Sequence, residues 1–305
     1  MTTLTQTVRP TTFIESRPLE KLFGTRITIA TETFQHTGSF KFRAAYNTAA
    51  NVPNDTIITA SSGNFGQGLA YACLLLGKKC IVVMPETSAR VKIEAVKSHG
   101  AIVDLIDTKK IGRAERVLEI ARQYPAAYRA SAYDDPLVIE GNASLGAEIA
   151  NYRENFDIVI APIGGGGLAS GIIKGLCDNG NTAKVLGAEP LLGNDAARSL
   201  QAGKIIRNEQ EPQTIADGAR TVSLGEHNWR ILQNGLAGIV EVSEEKIMEA
   251  VRMLFSHAHL KVEPTGALSL GAILEKPENF ADKSICLVVS GGNVDAEVYR
   301  QILAS

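Results

Sequence analysis

Four glycines in a row, Gly164 to Gly167, follow the apolar run FDIVIAP and precede LASGIIKGL. Glycine loses more backbone entropy on folding than any other residue, so a run of four needs a chemical reason. Between a strand and a helix, bare amide N–H groups and the helix N-terminus can close on an anion such as phosphate. Gly164, Gly166 and Ala169 also fit G-x-G-x-x-A, and Glu189 ends the next strand at the spacing of a ribose-binding acid. By itself this loop admits either a nicotinamide dinucleotide or a smaller phosphate cofactor.

Three further loops carry reactive groups. In TGSFKFRAA, Thr37, Gly38 and Ser39 are expected to cap the next helix and place Lys41 in its first turn. Positive peptide ends favour the neutral, nucleophilic amine there; a solvated surface lysine is the plainer alternative. ASSGNFGQGLA, Ala60 to Ala70, repeats the order strand, small polar loop, helix. One polar residue serves as an N-cap, but Ser61, Ser62 and Asn64 together exceed that need and suit a substrate carboxylate. In VVSGGNVD, Val288 to Asp295, an apolar strand ends by delivering the Ser290 hydroxyl.

The elements that must position these loops follow from periodicity. RITIATET, TIITA, CIVVMPE, AIVDLID, FDIVIAPI, KVLGAEP and SICLVVSGG read as strands, alternating with helical segments such as FGQGLAYACLLLG and EEKIMEAVRMLFSHA. Continuous apolar strands between helices predict parallel sheets covered on both faces, with ligands beyond the carboxyl ends of the strands. The expected fold is α/β, with two three-layer parallel-sheet domains and the active site in the cleft between them. Residues 51–137 would form a small inserted domain, and residues 1–50 and 138–305 the large one.

Composition excludes other classes. A net charge of −2 gives no basis for nucleic-acid or polybasic membrane binding. No apolar stretch approaches a membrane span, and MTTLTQTVRPTTF lacks a signal-peptide core. Cys73, Cys80, Cys177 and Cys286 form no C-x-x-C pair and are expected to be reduced thiols. A cytoplasmic protein is expected.

Together the loops resemble the serine/threonine dehydratase and serine racemase branch of the fold type II pyridoxal-phosphate enzymes. The matching stretches are TGSFKFRAA, SSGNFGQGLA, IGGGGLASG, GAEP, TIADG, VEPTGA and SGGN, in the family's order from Thr37 to Asn293. The resemblance implies that Gly164, Gly165, Gly166, Gly167 and Leu168 cradle the phosphate of pyridoxal 5'-phosphate. Lys41 would form the Schiff base and then remove the α-proton, with Phe40 bordering the ring. Asn64 would bind the ring hydroxyl, Ser290 would face the pyridine nitrogen, and Glu263 would lie nearby unless it merely starts a helix. Ser61, Ser62, Gly63, Asn64 and Phe65 would hold the substrate carboxylate, and Ser62 could protonate the opposite face. Glu189, the Gly193 carbonyl and Asp195 match positions where many relatives hold Mg²⁺, Mn²⁺ or Ca²⁺, hard ions that oxygen ligands suit. The alternative there is a strand-end Glu and a helix-capping Asp.

A hydroxyl opposite the ring nitrogen makes a weaker electron sink than a carboxylate, which favours prompt loss of a β-substituent. The implied reaction is β-elimination from a β-hydroxy amino acid such as L-threonine or L-serine, giving a 2-oxo acid and ammonia. An amino-acid racemase or a β-replacement enzyme of the cysteine-synthase type is the alternative, and a nicotinamide-dinucleotide protein a remote one. Relatives commonly carry His at Phe65 and Ala at Gly68, and AGQGT where this chain has EGNAS, Glu140 to Ser144. These departures bear on which amino acid fits. The partners expected are a small amino acid and, as in many relatives, a second copy of the chain in a homodimer.

Overall fold

Runs of β-branched residues flanked by polar turns become strands, and the computed structural model describes them across residues 3–61, 63–88 and 90–305. The strands are β1 (Thr12–Glu15), β2 (Arg26–Thr31), β3 (Thr56–Ala60), β4 (Lys79–Pro85) and β5 (Ile102–Ile106). They continue as β6 (Tyr128–Ala130), β7 (Ile158–Pro162), β8 (Lys184–Pro190), β9 (Leu236–Val242) and β10 (Ser284–Val289). The first helices are α1 (Leu4–Thr7), α2 (Arg17–Phe23), α3 (Lys41–Asn51), α4 (Asn64–Leu76), α5 (Arg90–Lys97) and α6 (Arg113–Gln123). After them come α7 (Pro136–Ala150), α8 (Gly167–Asp178), α9 (Asp195–Ala202) and α10 (Glu226–Gly235). The last are α11 (Glu244–Ala258), α12 (Pro264–Glu275) and α13 (Ala296–Ala304).

Two sheets form, as the apolar runs predict. One has the order β1-β2-β10-β7-β8-β9 and the other β5-β4-β3-β6. All pairings are parallel except β1 with β2. The central strands β7 and β10 are buried along their whole length, so both faces of the larger sheet are covered. One face packs Ile27, Ile160 and Leu287 against Leu254 and Leu268, and the other packs Val159 and Val288 against Leu145 and Ile172. In the smaller sheet Ile57 and Val82 meet Phe42 and Leu69, while Ile58 and Val83 meet Ile120. No helix among the described residues is long and apolar enough to cross a membrane, and all four cysteines are free thiols.

Three strands differ from the sequence reading. β1 is a four-residue antiparallel edge and β6 has three residues, both too short for a period of two to register. β9 contains Gly238 and meets β8 through a register shift at Val185/Leu186, so its apolar pattern is broken.

α7 sits between two helices that carry functional loops, and glycines set both distances. A Cβ on Gly141 would lie 2.7 Å from the Arg43 carbonyl oxygen of α3, and one on Gly146 would lie 2.5 Å from that of Ile172 in α8. From the other side, a Cβ on Gly175 of α8 would come 2.7 Å from the Ala147 nitrogen. Backbone therefore touches backbone along α7, and the helices starting at Lys41 and at Gly167 hold a fixed spacing.

Candidate active site

α3 starts at Lys41, with Phe40 at the N-cap position and no side-chain cap. Thr37 and Ser39 do not cap it, contrary to expectation. Thr37 and Gly38 make a tight turn at φ of 61° and 74°, and Ser39 is extended, bridging to Gly291. This pairing wins because it makes backbone bonds: Phe40 N–H donates to the Ser290 carbonyl (2.9 Å) and Gly292 N–H to that of Gly38 (3.0 Å). Arg43, two residues on, anchors α3 from beneath. It is fully buried and donates to Glu32 (2.8 Å), Glu148 (2.7 Å) and Thr11 (2.9 Å).

The Lys41 Nζ donates to the carbonyl of Ala132 at 2.6 Å. It lies 5.1 Å from the Phe40 ring centre and 5.9 Å from that of Phe65. Burial pushes its pKa down to about 8, against a smaller opposing pull from the Glu263 charge. The amine therefore reaches its neutral form at far lower pH than an exposed lysine, as a nucleophile or base requires.

Beyond β3, the Ser61 N–H is taken by the Val83 carbonyl (3.2 Å), while the Ser61 Oγ accepts from Gly66 N–H at 3.0 Å. The same Oγ accepts from Gly63 N–H (3.4 Å), so Ser61 ties down the start of α4. Ser62 lies outside the described residues. Asn64 opens α4; its Nδ2 donates to both carboxylate oxygens of Glu263 (2.8 and 3.1 Å), and its Oδ1 accepts from Asn293 (2.8 Å). Glu263 sits at the N-cap position of α12, yet its side chain makes no cap and faces Asn64 instead. Burial, then repulsion from Asp217, pushes its pKa up to about 7. Phe65 is buried in the core of the smaller sheet, so its ring bears on the surroundings of Lys41. At Gly68 a Cβ would make ordinary contact, 3.4 Å from Ala45 Cβ and the Lys41 backbone, so the site has room for the relatives' alanine.

The four glycines have steric reasons as well as electrostatic ones. A Cβ would lie 3.0 Å from Ala219 Cα at Gly164, 2.7 Å from Leu232 at Gly166 and 2.7 Å from the Tyr133 carbonyl at Gly167. At Gly165 it would enter the Tyr133 ring. Gly166 has φ of 93°, where a side chain is strained. Among the described residues, no acceptor takes the N–H groups of Gly164 to Leu168. Free donors at the start of a helix of this length fit a phosphate.

Glu189 and Asp195 do come together, both almost fully buried. The Glu189 carboxylate accepts the N–H groups of Ala196 (2.8 Å) and Ala197 (2.9 Å), so it caps α9 from the end of β8. Asp195 Oδ1 accepts from Asn208 (2.9 Å), and its Oδ2 is buried with no partner. Burial, then the Asp195 charge, raises the Glu189 pKa, and burial raises that of Asp195 to about 6. No group of three His, Cys, Asp or Glu able to hold a metal occurs among the described residues.

Four residues of the site escaped the sequence reading. The turn after β6 supplies the Ala132 carbonyl to Lys41 and lays Tyr133 over Gly165, joining the lysine to the glycine loop. Asn142 of α7 donates to the Gly167 carbonyl (3.0 Å), and Asn228 of α10 to that of Gly165 (2.7 Å). The signals available were YDDP, an aromatic beside two acids, and the asparagine within EGNAS.

The chain matches the family model described as pyridoxal-phosphate dependent enzyme over residues 4–291. It is 33% identical to β-hydroxyaspartate dehydratase of Paracoccus denitrificans, covering 95% of this chain and 92% of that one. Serine racemase of Mus musculus is 32% identical, over 93% and 86% of the two chains. Among solved structures, threonine deaminase from T.th. superposes with a TM-score of 0.89 at 40% identity, over 94% of each chain.

Proposed function

The chain belongs to the pyridoxal-phosphate dependent enzyme family, and from that premise we propose that it is an ammonia-lyase for a β-hydroxy amino acid. The observation that carries this reading is the junction at the turn after β6. That turn holds the Lys41 amine through Ala132 and roofs the glycine loop with Tyr133. When bound, pyridoxal phosphate supplies an aldehyde for the lysine and an electron sink for the α-carbon of the substrate.

The chain's own groups do the rest. The Gly164 to Leu168 amides are assigned to the phosphate, and Lys41 Nζ to cofactor capture and then the α-proton. Asn64, held between Glu263 and Asn293, would bind the ring hydroxyl. Ser290 is buried at the end of β10 and tied by its carbonyl to Phe40; it is assigned to the ring nitrogen. A hydroxyl there, rather than a carboxylate, favours elimination over reactions needing a long-lived carbanion. The N–H groups of Asn64 and Phe65 are assigned to the substrate carboxylate, since that of Gly63 is taken by Ser61.

The test is a panel of L-threonine, L-serine and L-threo-3-hydroxyaspartate with their stereoisomers, scored for 2-oxo acid, ammonia and enantiomer together. Release of 2-oxo acid and ammonia in equal amounts from at least one member is expected. Enantiomer without 2-oxo acid would make the chain a racemase, and neither product from any member would remove the reading.

The orphaned Asp195 oxygen beside Glu189 fits a hard divalent cation, and we assign Mg²⁺, Mn²⁺ or Ca²⁺ to Glu189, Asp195 and the Gly193 carbonyl. It would tie β8 to α9. A ligand at a hundredfold excess over its dissociation constant stabilises the folded state by about 2.7 kcal/mol. Mg²⁺ or Ca²⁺ should therefore raise the melting temperature, chelator should lower it, and Asp195→Ala should cancel both shifts. Metal-independent melting of the wild type would leave Glu189 as the cap of α9 and Asp195 as the partner of Asn208 alone.

A further inference from the structure

We infer that Asn142 and Asn228 are positioning residues for cofactor phosphate, acting through the glycine loop that the preceding section assigns as its cradle. Their amide nitrogens bind loop carbonyls from two different helices. Asn142 holds Gly167 (3.0 Å); Asn228 holds Gly165 (2.7 Å) and also the Tyr133 carbonyl (3.0 Å). Gly225 N–H adds a second bond to the Gly165 carbonyl (3.1 Å). In a trans peptide the C=O and the following N–H point in opposite directions. Fixing the Gly165 carbonyl therefore fixes the direction of Gly166 N–H, and fixing that of Gly167 fixes Leu168 N–H. Both of those N–H groups are without an acceptor among the described residues.

The amide orientation is set by chemistry, because every partner on the nitrogen side is a carbonyl and only NH₂ can donate to it. Each side chain carries a cost that simple packing would avoid. Both are almost completely buried, and the Oδ1 of each has no partner. A leucine of similar shape would bury no unpaired oxygen, so a residue kept only to fill space would be better as leucine. What leucine cannot do is hold the carbonyl. Glycines without side chains resist peptide rotation weakly by themselves, and a cradle that must order itself on binding loses affinity. α7 is locked on α8 through Gly146, Gly171 and Gly175, so Asn142 is itself rigidly placed. Asn228 is fixed at the start of α10, where Asp134 accepts from Glu226 and His227 N–H (2.9 Å each).

The test compares pyridoxal phosphate with pyridoxal, which lacks the phosphate, by equilibrium titration of the full chain stripped of cofactor. Wild type is expected to prefer pyridoxal phosphate strongly. Asn142→Leu and Asn228→Leu should each weaken pyridoxal phosphate tenfold or more and leave pyridoxal within twofold, with unchanged melting of the cofactor-free protein. Asn142→Gln, which keeps the donor, should retain most of the preference. A preference unchanged in the leucine variants, or both cofactors weakened by the same factor, overturns the proposal while leaving the cradle in place. Wild type binding both cofactors equally would overturn the cradle reading itself. Should a leucine variant not fold, alanine at that position also removes the donor. A folded Asn142→Ala or Asn228→Ala variant with the wild-type preference overturns the proposal.

Discussion

Lys41→Ala is expected to lose the visible absorbance of lysine-linked cofactor and to reduce turnover about a thousandfold or more, the scale of one general base together with loss of covalent capture. The geometry leaves no substitute. Among the described residues, Lys41 is the amine bonded to Ala132 and flanked by Phe40 and Phe65. In wild type, capture of cofactor needs the neutral amine, and burial sets its pKa at about 8. The capture rate should climb about tenfold per pH unit below that value and level off above it. Stopped-flow absorbance from pH 6 to 10 checks both statements. A mutant that keeps the visible band and normal rates would remove Lys41 from the chemistry.

Gly175→Ala should be the most damaging small substitution away from the reacting groups. Its methyl would be driven into the Ala143 carbonyl and the backbone of α7, with no flexible side chain able to give way. Overpacking of this kind costs about 3 kcal/mol, and here the strain is relieved only by moving α8 and the glycine loop with it. Melting temperature and cofactor affinity should fall together. Gly68→Ala is the internal control, since its methyl meets Ala45 and Lys41 at 3.4 Å. A glycine replaced by alanine in a helix interior gains about 0.5–1 kcal/mol where space allows. Equal melting of the two variants would show that the α7–α8 contact yields more easily than the distances imply.

The reactive loops could be read from the chain because strand-loop-helix punctuation and unusual loop chemistry are local. Lys41, Gly164 to Gly167 and Ser290 all lie next to an apolar run that announces a strand or a helix. The residues around them could not be read this way. Ala132 contributes only a carbonyl, which carries no side-chain signature. Asn142 sits inside EGNAS, where an asparagine looks like a polar interruption until α8 is seen to pack against it. Ser39 looked like a cap because the capping preference is local, whereas its actual partner, Gly291, is far along the chain. The short strands β1 and β6 failed for the same reason, being held by pairing rather than by pattern.

β10 follows the other nine strands in chain order, yet it lies in the middle of its sheet, between β2 and β7. β2 ends at Thr31 and β10 begins at Ser284, so β2 must wait for a neighbour some 250 residues away. At about 5–20 residues per second, that is a delay of about 13 to 50 s on the ribosome. During it Ile27 and Ile29 have no permanent cover, while β3 to β6 can pair among themselves. Ser290 then arrives with β10 and closes onto Phe40, beside Lys41. A nascent chain would therefore hold Lys41 through that interval without a finished site around it, and stalled chains should present β2 to chaperones.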